Sequence, residues 1–204
     1  MSMTEKERML AGKLYRASDP ELVADHQRKW RLIRTINNEP DTEKLPGLFQ
    51  ELLGQLGEGS WLEPPFHCDY GSHIYIGKHF YANCDCIFLD VCDITIGDDV
   101  FLAPRVCIFT ATHPIDAGVR NSELEYAKPV RIGSSVWIGG STVINPGVTI
   151  GDNVVIGSGS VVTKDIPSGV IAAGNPCRVL RPITDADRQY WQAQAEEYNR
   201  DRRG

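Results

Sequence analysis

The sequence predicts a mainly β fold, a parallel β-helix wound from six-residue repeats and closed by helices at both ends. Three observations predict it. Branched apolar residues fall at steps of six, at Ile132, Ile138, Ile144, Ile150, Ile156 and Val162, and glycine follows directly at Gly133, Gly139, Gly151 and Gly157. A second apolar series runs two residues ahead, at Val130, Val136, Val148 and Val154. The same frame recurs upstream, where Ile76-Gly77, Ala82-Asn83 and Phe88 keep the step and, after a shift of two residues, Ile96-Gly97, Leu102-Ala103 and Ile108 resume it. A helical period of about 3.6 scatters these positions around a cylinder, and simple alternation does not demand glycine at every sixth residue, where the backbone needs an unhindered turn. Three units make one triangular coil. Its branched residues stack in ladders, and neighbouring coils hydrogen-bond as parallel strands. The spacing leaves the hand of the coil open.

The flanks follow helical rules. Thr4 with Glu7 reads as a capping box before Met9, Leu10 and Leu14, and Asp19-Pro20 as a cap and first-turn proline ahead of Leu22, Trp30, Ile33 and Ile36. A third helix is predicted from about Pro46, carrying Leu48, Phe49, Leu52, Leu53 and Leu56 to Gly57 and Gly59. Residues 1–58 therefore read as a helical cap, 59–182 as the coils with an inserted loop at about 110–129, and 183–204 as a helical extension. In that extension Thr184 and Asp185 cap a helix bearing Tyr190, Trp191 and Tyr198, after Pro176 and Pro182 have closed the coils. Solenoids need such caps, because an open last coil exposes strand edges.

The chain has 204 residues, with 21 basic against 27 acidic side chains and a net charge of -6. That balance argues against a general affinity for nucleic acid or anionic membrane. Met1 to Arg16 is studded with Glu, Lys and Arg, unlike a secretory signal, and no window approaches a membrane span, so a cytoplasmic location is expected. The six cysteines, Cys68, Cys84, Cys86, Cys92, Cys107 and Cys177, fall mostly in apolar runs and are expected to be small, reduced core residues. Cys84 and Cys86 are separated by one residue, and no CxxC pair exists to hold a metal.

Several stretches resemble one family. Met9 to Tyr15 (MLAGKLY), Cys68 to Gly71 (CDYG), Phe80 to Asn83 (FYAN), Thr110 to Pro114 (TATHP) and Val136 to Gly147 (VWIGGSTVINPG) resemble the maltose and galactoside O-acetyltransferases, over nearly the whole chain. Gly174-Asn175-Pro176 with Arg178 fits the exit from the coils in that family. The resemblance implies a left-handed parallel β-helix, a homotrimer with active sites in the clefts between subunits, acetyl-CoA as co-substrate, and a sugar as acceptor. The tail departs from it: maltose-type members commonly finish soon after a segment like Cys177 to Arg181, whereas this chain runs on to Gly204.

Acetyl transfer from a thioester to a sugar hydroxyl needs a base, and imidazole is the side chain matched to that task. His113 is the candidate, since it lies where the repeat breaks between Ile108 and Ile132, in a polar run, Ala111 to Lys128, that is not expected to enter the core. Pro114 biases it toward extended backbone. Glu125 is expected to orient His113, with a main-chain carbonyl as the alternative. By resemblance, Asn83 binds the acceptor hydroxyl or the developing oxyanion, and backbone N–H groups around Gly140 and Ser141 share the oxyanion work. Acceptor hydroxyls call for carboxylates, and Asp69 and Tyr81 are the candidates; galactoside-type members carry serine where this chain has Asp69. Asp19 is either a further acceptor ligand or a plain N-cap. For coenzyme A, the last coils supply Thr163, Lys164, Arg178 and Arg181, Trp137 and Ser158 match the groove that holds the pantetheine arm in the family, and Gly139 is a further cofactor-binding candidate.

Three rival functions share this architecture. An antibiotic O-acetyltransferase keeps the base and the donor site and differs in the acceptor cleft. A zinc hydratase needs converging histidines, but His67, His73 and His79 are spaced by six, which carries each to the next face of a three-sided coil. A non-catalytic scaffold predicts that His113→Ala changes no activity. The identity of the acceptor sugar is not written in the sequence.

Overall fold

A computed structural model of the chain describes residues 2–202. Three helices precede the coils: α1 (Glu5–Leu10), α2 (Pro20–Asn38) and α3 (Leu45–Leu52). Thr4 and Glu7 form the expected capping box, and the Asp19 side chain caps α2 with Pro20 in its first turn. α3 stops at Leu52, short of the predicted run to Leu56, because Gln55–Leu56 is already the first strand of the first coil, paired in parallel with Ile74–Ile76.

The first coil continues through Trp61–Leu62 and Phe66–Cys68, and the second through Ile74–Ile76, Tyr81–Ala82 and Cys86–Leu89. The third uses Ile94–Ile96, Phe101–Leu102 and Cys107–Phe109; the fourth Val130–Ile132, Trp137–Ile138 and Val143–Ile144; the fifth Thr149–Ile150, Val155–Ile156 and Val161–Val162. A partial sixth ends at Val170–Ala173. Corresponding strands pair in parallel, so the prism has three sheet faces. The predicted ladders run inside it: Ile76, Ile96, Ile132 and Ile150 stand in register and are buried, as are Leu62, Ala82, Leu102, Ile138 and Ile156. Edge-to-face packing of Phe49, Phe66 and Phe88 welds α3 onto the first coils.

The repeat glycines are needed for a reason other than turn conformation. Gly77, Gly97, Gly133 and Gly151 do not have left-handed φ; that falls two residues later, at His79, Asp99, Ser135 and Asn153. At the glycines it is coil stacking that forbids a side chain. A Cβ on Gly133 would lie 2.8 Å from the Gly151 carbonyl carbon, and one on Gly57 would lie 2.2 Å from the Gly77 oxygen. The first corner is thus a column of glycines in backbone contact.

At the far end, Arg178–Pro182 turns back antiparallel on Val170–Ala173 and covers the last edge. Helix α5 (Asp185–Asp201) follows, capped by Thr184 and Asp187, with no buried residue and with Tyr190, Trp191 and Tyr198 exposed. Among the described residues, no helix is long and apolar enough to cross a membrane. The cysteines divide: Cys68, Cys86, Cys92 and Cys177 are buried, but Cys84 and Cys107 are only half-buried, Cys84 because it lies in the turn between Tyr81–Ala82 and Cys86–Leu89, and Cys107 because Val106 and Ile108 take the inward positions on either side of it.

Candidate active site

The third corner, where each coil passes to the next, is where the frame fails. The link there is residues 69–73 after the first coil, 90–93 after the second and 110–129 after the third. These excursions lie over one another and against α1 and α2. They build a second, smaller core of Met9, Tyr15, Leu22, Tyr70, Val91, Cys92 and Ala127. Ala127 corrects the expectation that the 111–128 segment stays out of the core: Ala111–Thr112 and Tyr126–Ala127 pair as an antiparallel hairpin whose base is buried. A short helix, α4 (Ala117–Asn121), crosses its tip.

Buried polar side chains fasten these excursions to the coils. The carboxylate of Asp90 is fully buried and accepts hydrogen bonds from the backbone N–H groups of Asp69 (3.0 Å), Tyr70 (2.9 Å) and His73 (3.2 Å). Burial pushes its pKa up to about 7, against the opposing pull of those N–H donors. One coil on, the buried Thr110 hydroxyl accepts from Cys92 N–H at 2.9 Å and donates to the Leu89 carbonyl at 2.7 Å. Every donor of the lip around Asp69 that these groups reach is satisfied from within the fold.

Above this small core lies a cavity of about 480 Å³, lined by Tyr15, Leu22, His26, Asp69, Tyr70 and Glu125 among others. Tyr15 Oη donates to Glu125 Oε2 at 2.9 Å, and their backbones exchange hydrogen bonds across the same bridge. Burial raises the Tyr15 and Tyr70 phenols well above their ordinary range; the Tyr15 O–H is given to Glu125, and Tyr70 keeps an O–H donor in the cavity lining. Burial also raises Asp69, offset in part by the Lys29 ammonium and reinforced by Glu125. Lys29, itself buried, lies 3.3 Å from His26 Nε2 and over the Trp30 ring at 4.4 Å; burial first, then Lys29, lowers His26. The cavity thus offers carboxylate acceptors, the Tyr70 phenol and an imidazole, the groups that polyhydroxylated ligands need.

Two grooves run down the outside of the second corner. In one, of about 400 Å³, Tyr81, Phe101 and Trp137 stand in register on successive coils beside Asn83 and Ala103. The other, of about 460 Å³, is lined by Pro104, Arg105, Gly140, Ser141, Ser158 and Gly159. Asn83 Oδ1 accepts from Cys84 N–H at 2.8 Å, which leaves its NH₂ as the free end, a donor suited to an oxyanion.

Several sequence expectations land elsewhere. Tyr81 belongs to the aromatic groove with Trp137 and does not line the Asp69 cavity. The Asp19 carboxylate accepts from Glu21 N–H at 3.0 Å, which is its N-cap bond, and it too lies outside the cavity lining. Glu125 is engaged by Tyr15 Oη rather than by His113. His113 sits beside the hairpin, exposed, in neither the cavity nor the grooves of the single chain. The Ser141 N–H is occupied by the Pro104 carbonyl at 3.0 Å, so it does not serve an oxyanion. Gly139 is buried, and a Cβ there would lie 2.5 Å from Ser158 N, which makes it a packing residue.

Of the donor-side residues, Ser158 and Gly140 share the second groove. Thr163 and Lys164 are exposed just beyond the fifth coil. Arg178 donates to the Cys177 carbonyl at 2.7 Å, and Arg181 forms a bidentate pair with Asp187 at 2.7 and 2.8 Å. His67 is exposed on the third face, His73 is buried against Asp90, and His79 stands beside Asp99 at a corner. Among the described residues, no three His, Cys, Asp or Glu side chains are grouped to hold a metal ion. Tyr15, His26, Lys29, Tyr70 and Asp90 were not singled out from sequence; Asp90 was marked there by the two-residue shift of the frame, and Tyr15 and Tyr70 lie within the MLAGKLY and CDYG stretches.

A coil of six-residue repeats carrying a polar cavity and an aromatic groove places the chain among the hexapeptide-repeat proteins. The comparisons narrow the class. The maltose acetyltransferase hexapeptide capping motif matches residues 8–57, and the bacterial transferase hexapeptide (six repeats) matches 129–164. The chain is 45% identical over 193 residues to the galactoside O-acetyltransferase of Escherichia coli (strain K12), covering 94% of this chain and 95% of that protein. It is 48% identical over 181 residues to nodulation protein L of Rhizobium meliloti, covering 88% and 99%. Among solved structures, a maltose O-acetyltransferase from Clostridium difficile 630 matches with a TM-score of 0.88 at 55% identity, over 90% of this chain and 100% of that one. A galactoside acetyltransferase in complex with coenzyme A matches with a TM-score of 0.88 at 45% identity, over 92% and 94%. The chain belongs to the maltose and galactoside O-acetyltransferase family, and it is an acetyl-CoA-dependent O-acetyltransferase.

Proposed function

We propose that the acceptor is a sugar of the maltose, glucose or galactoside type, bound in the Asp69 cavity and acetylated directly in a ternary complex. The cavity carries the reading: Asp69 and Glu125 accept from hydroxyls, the Tyr70 phenol is suited to donate to them, and the Tyr15 phenol, whose O–H goes to Glu125, holds that carboxylate in place. His113 takes the proton from the attacking hydroxyl as the C–O bond forms at the thioester carbonyl. Asn83 NH₂ steadies the oxyanion, and the imidazolium then returns its proton to the departing thiolate.

An exposed His113 outside the single-chain cavity fits a site completed by a neighbouring protomer, as in a homotrimer. Trp137 offers a flat wall to the pantetheine arm, and Lys164 and Arg178 offer cations to its phosphates, in a protein working in the cytoplasm. The test is an acceptor panel of mono- and disaccharides, aminoglycosides and simple alcohols with acetyl-CoA, following thiol release. Release stimulated by sugars alone supports the assignment; stimulation only by antibiotics or non-sugar alcohols removes it.

A further inference from the structure

We infer that Arg105 is a donor-specificity residue that binds a phosphate of acetyl-CoA. Residues Asp85, Arg105, Ser141 and Gly159 occupy one position of the second corner on successive coils, all with left-handed φ (61°, 60°, 58° and 72°). The column is fastened coil to coil: Arg105 N–H donates to the Cys84 carbonyl at 3.0 Å and Gly159 N–H to the Gly140 carbonyl at 2.9 Å. An arginine tolerates this backbone conformation poorly, and its neighbours along the column show what the position admits. Toward the last coils the column shrinks to Ser141 and Gly159, and a Cβ on Gly159 would meet nothing within 4 Å. The long side chain therefore stands at the head of an open trough of about 460 Å³ that it lines together with Ser158.

The charge on Arg105 is uncommitted. Among the described residues its guanidinium has no ion-pair partner, whereas Arg181, a cation expected to serve the donor, is neutralised by Asp187. A planar guanidinium with a free fork beside a trough suits a phosphate, which it grips through two parallel N–H···O bonds. The inference concerns the donor alone and does not depend on which sugar is the acceptor.

Arg105→Gly is the informative variant, because glycine accepts a left-handed φ without strain and the fold is kept. Binding of CoA, dephospho-CoA and pantetheine is measured by calorimetry on the intact oligomer, with KM for the acetylated forms where turnover allows. Loss of a charge-assisted contact predicts roughly 10-fold weaker CoA binding. Pantetheine should bind both proteins alike, and Arg105→Lys should restore part of the loss. A gap that persists with dephospho-CoA assigns the diphosphate, and one that vanishes assigns the 3′-phosphate; either supports the inference. Equal CoA binding by the two proteins overturns it. So does an equal loss with pantetheine, or a change of oligomeric state that accounts for the loss. Failure of every sugar to act as acceptor leaves these binding outcomes untouched and strikes only the acceptor assignment.

Discussion

Replacing Asp90 by asparagine tests how the lip of the acceptor cavity is held. Asparagine keeps an oxygen for the N–H groups of Asp69 and Tyr70, but it turns an NH₂ toward the His73 N–H that now bonds Oδ2 at 3.2 Å. That donor facing a donor in a fully buried position costs about 1–3 kcal/mol at any pH. The wild-type carboxyl adds a pH-dependent term. Its pKa rises from 3.8 unfolded to about 7 folded, so across the intervening range the folded chain holds a proton that the unfolded chain has released. Stability from this group is full below about pH 4 and is lost as pH climbs through 7, by about 2.5 kcal/mol between pH 5 and pH 8. The amide that replaces it in Asp90→Asn does not titrate. Urea unfolding of both proteins at one fixed concentration should therefore show wild type ahead by about 1–3 kcal/mol at pH 5, with the gap shrinking by about 2.5 kcal/mol at pH 8. A gap that stays constant across this range refutes the raised carboxyl, and no gap at pH 5 refutes the role given to the His73 hydrogen bond.

His113→Ala should lower kcat by roughly 100- to 10,000-fold while CoA binding stays intact; calorimetry beside turnover separates this from misfolding, and retained turnover removes the base assignment. Asp69→Ala should raise the sugar KM by roughly 10-fold or more and leave the acetyl-CoA KM unchanged, since the carboxylate lines the cavity and not the grooves; a matching rise in both constants counts against the cavity. Gly133→Ala should destabilise by about 1–3 kcal/mol in denaturant melts, because its Cβ meets the Gly151 backbone and the Asp152 carboxylate. A neutral result means that the corner relaxes and that the stacking explanation of the repeat glycines is wrong.

The period of six made the coils and their ladders legible, because stacking imposes the same demand on Ile76, Ile96, Ile132 and Ile150. It also marked the cavity, since the excursions after Cys68, Leu89 and Phe109 are the places where the count fails. Contacts outside the period were hidden. Glu125 takes its hydrogen bond from Tyr15, 110 residues away on a non-repeating arm, and nothing in the frame specifies where that arm lies. The placement of Tyr81 apart from Asp69 within one chain was hidden for a different reason. Strand alternation around buried Ala82 points it outward on the second face, so counting by face separates it from Asp69, which follows the third.

Counting by face also explains why the grooves follow the second corner. The corresponding slot of the first corner is glycine on every full coil, Gly57, Gly77, Gly97, Gly133 and Gly151, because backbone meets backbone there and no side chain fits. At the second corner the slot holds Glu63, Asn83 and Ala103 on the first three coils and becomes glycine only at Gly139 and Gly157, where an added Cβ would strike Ser158 N or the Ala173 side chain. A corner able to carry a side chain is the only kind that can present a functional group from within the regular repeat. Asn83 is therefore a chemical choice at a position where packing permits one, and the glycines of the first corner are positions where packing permits none.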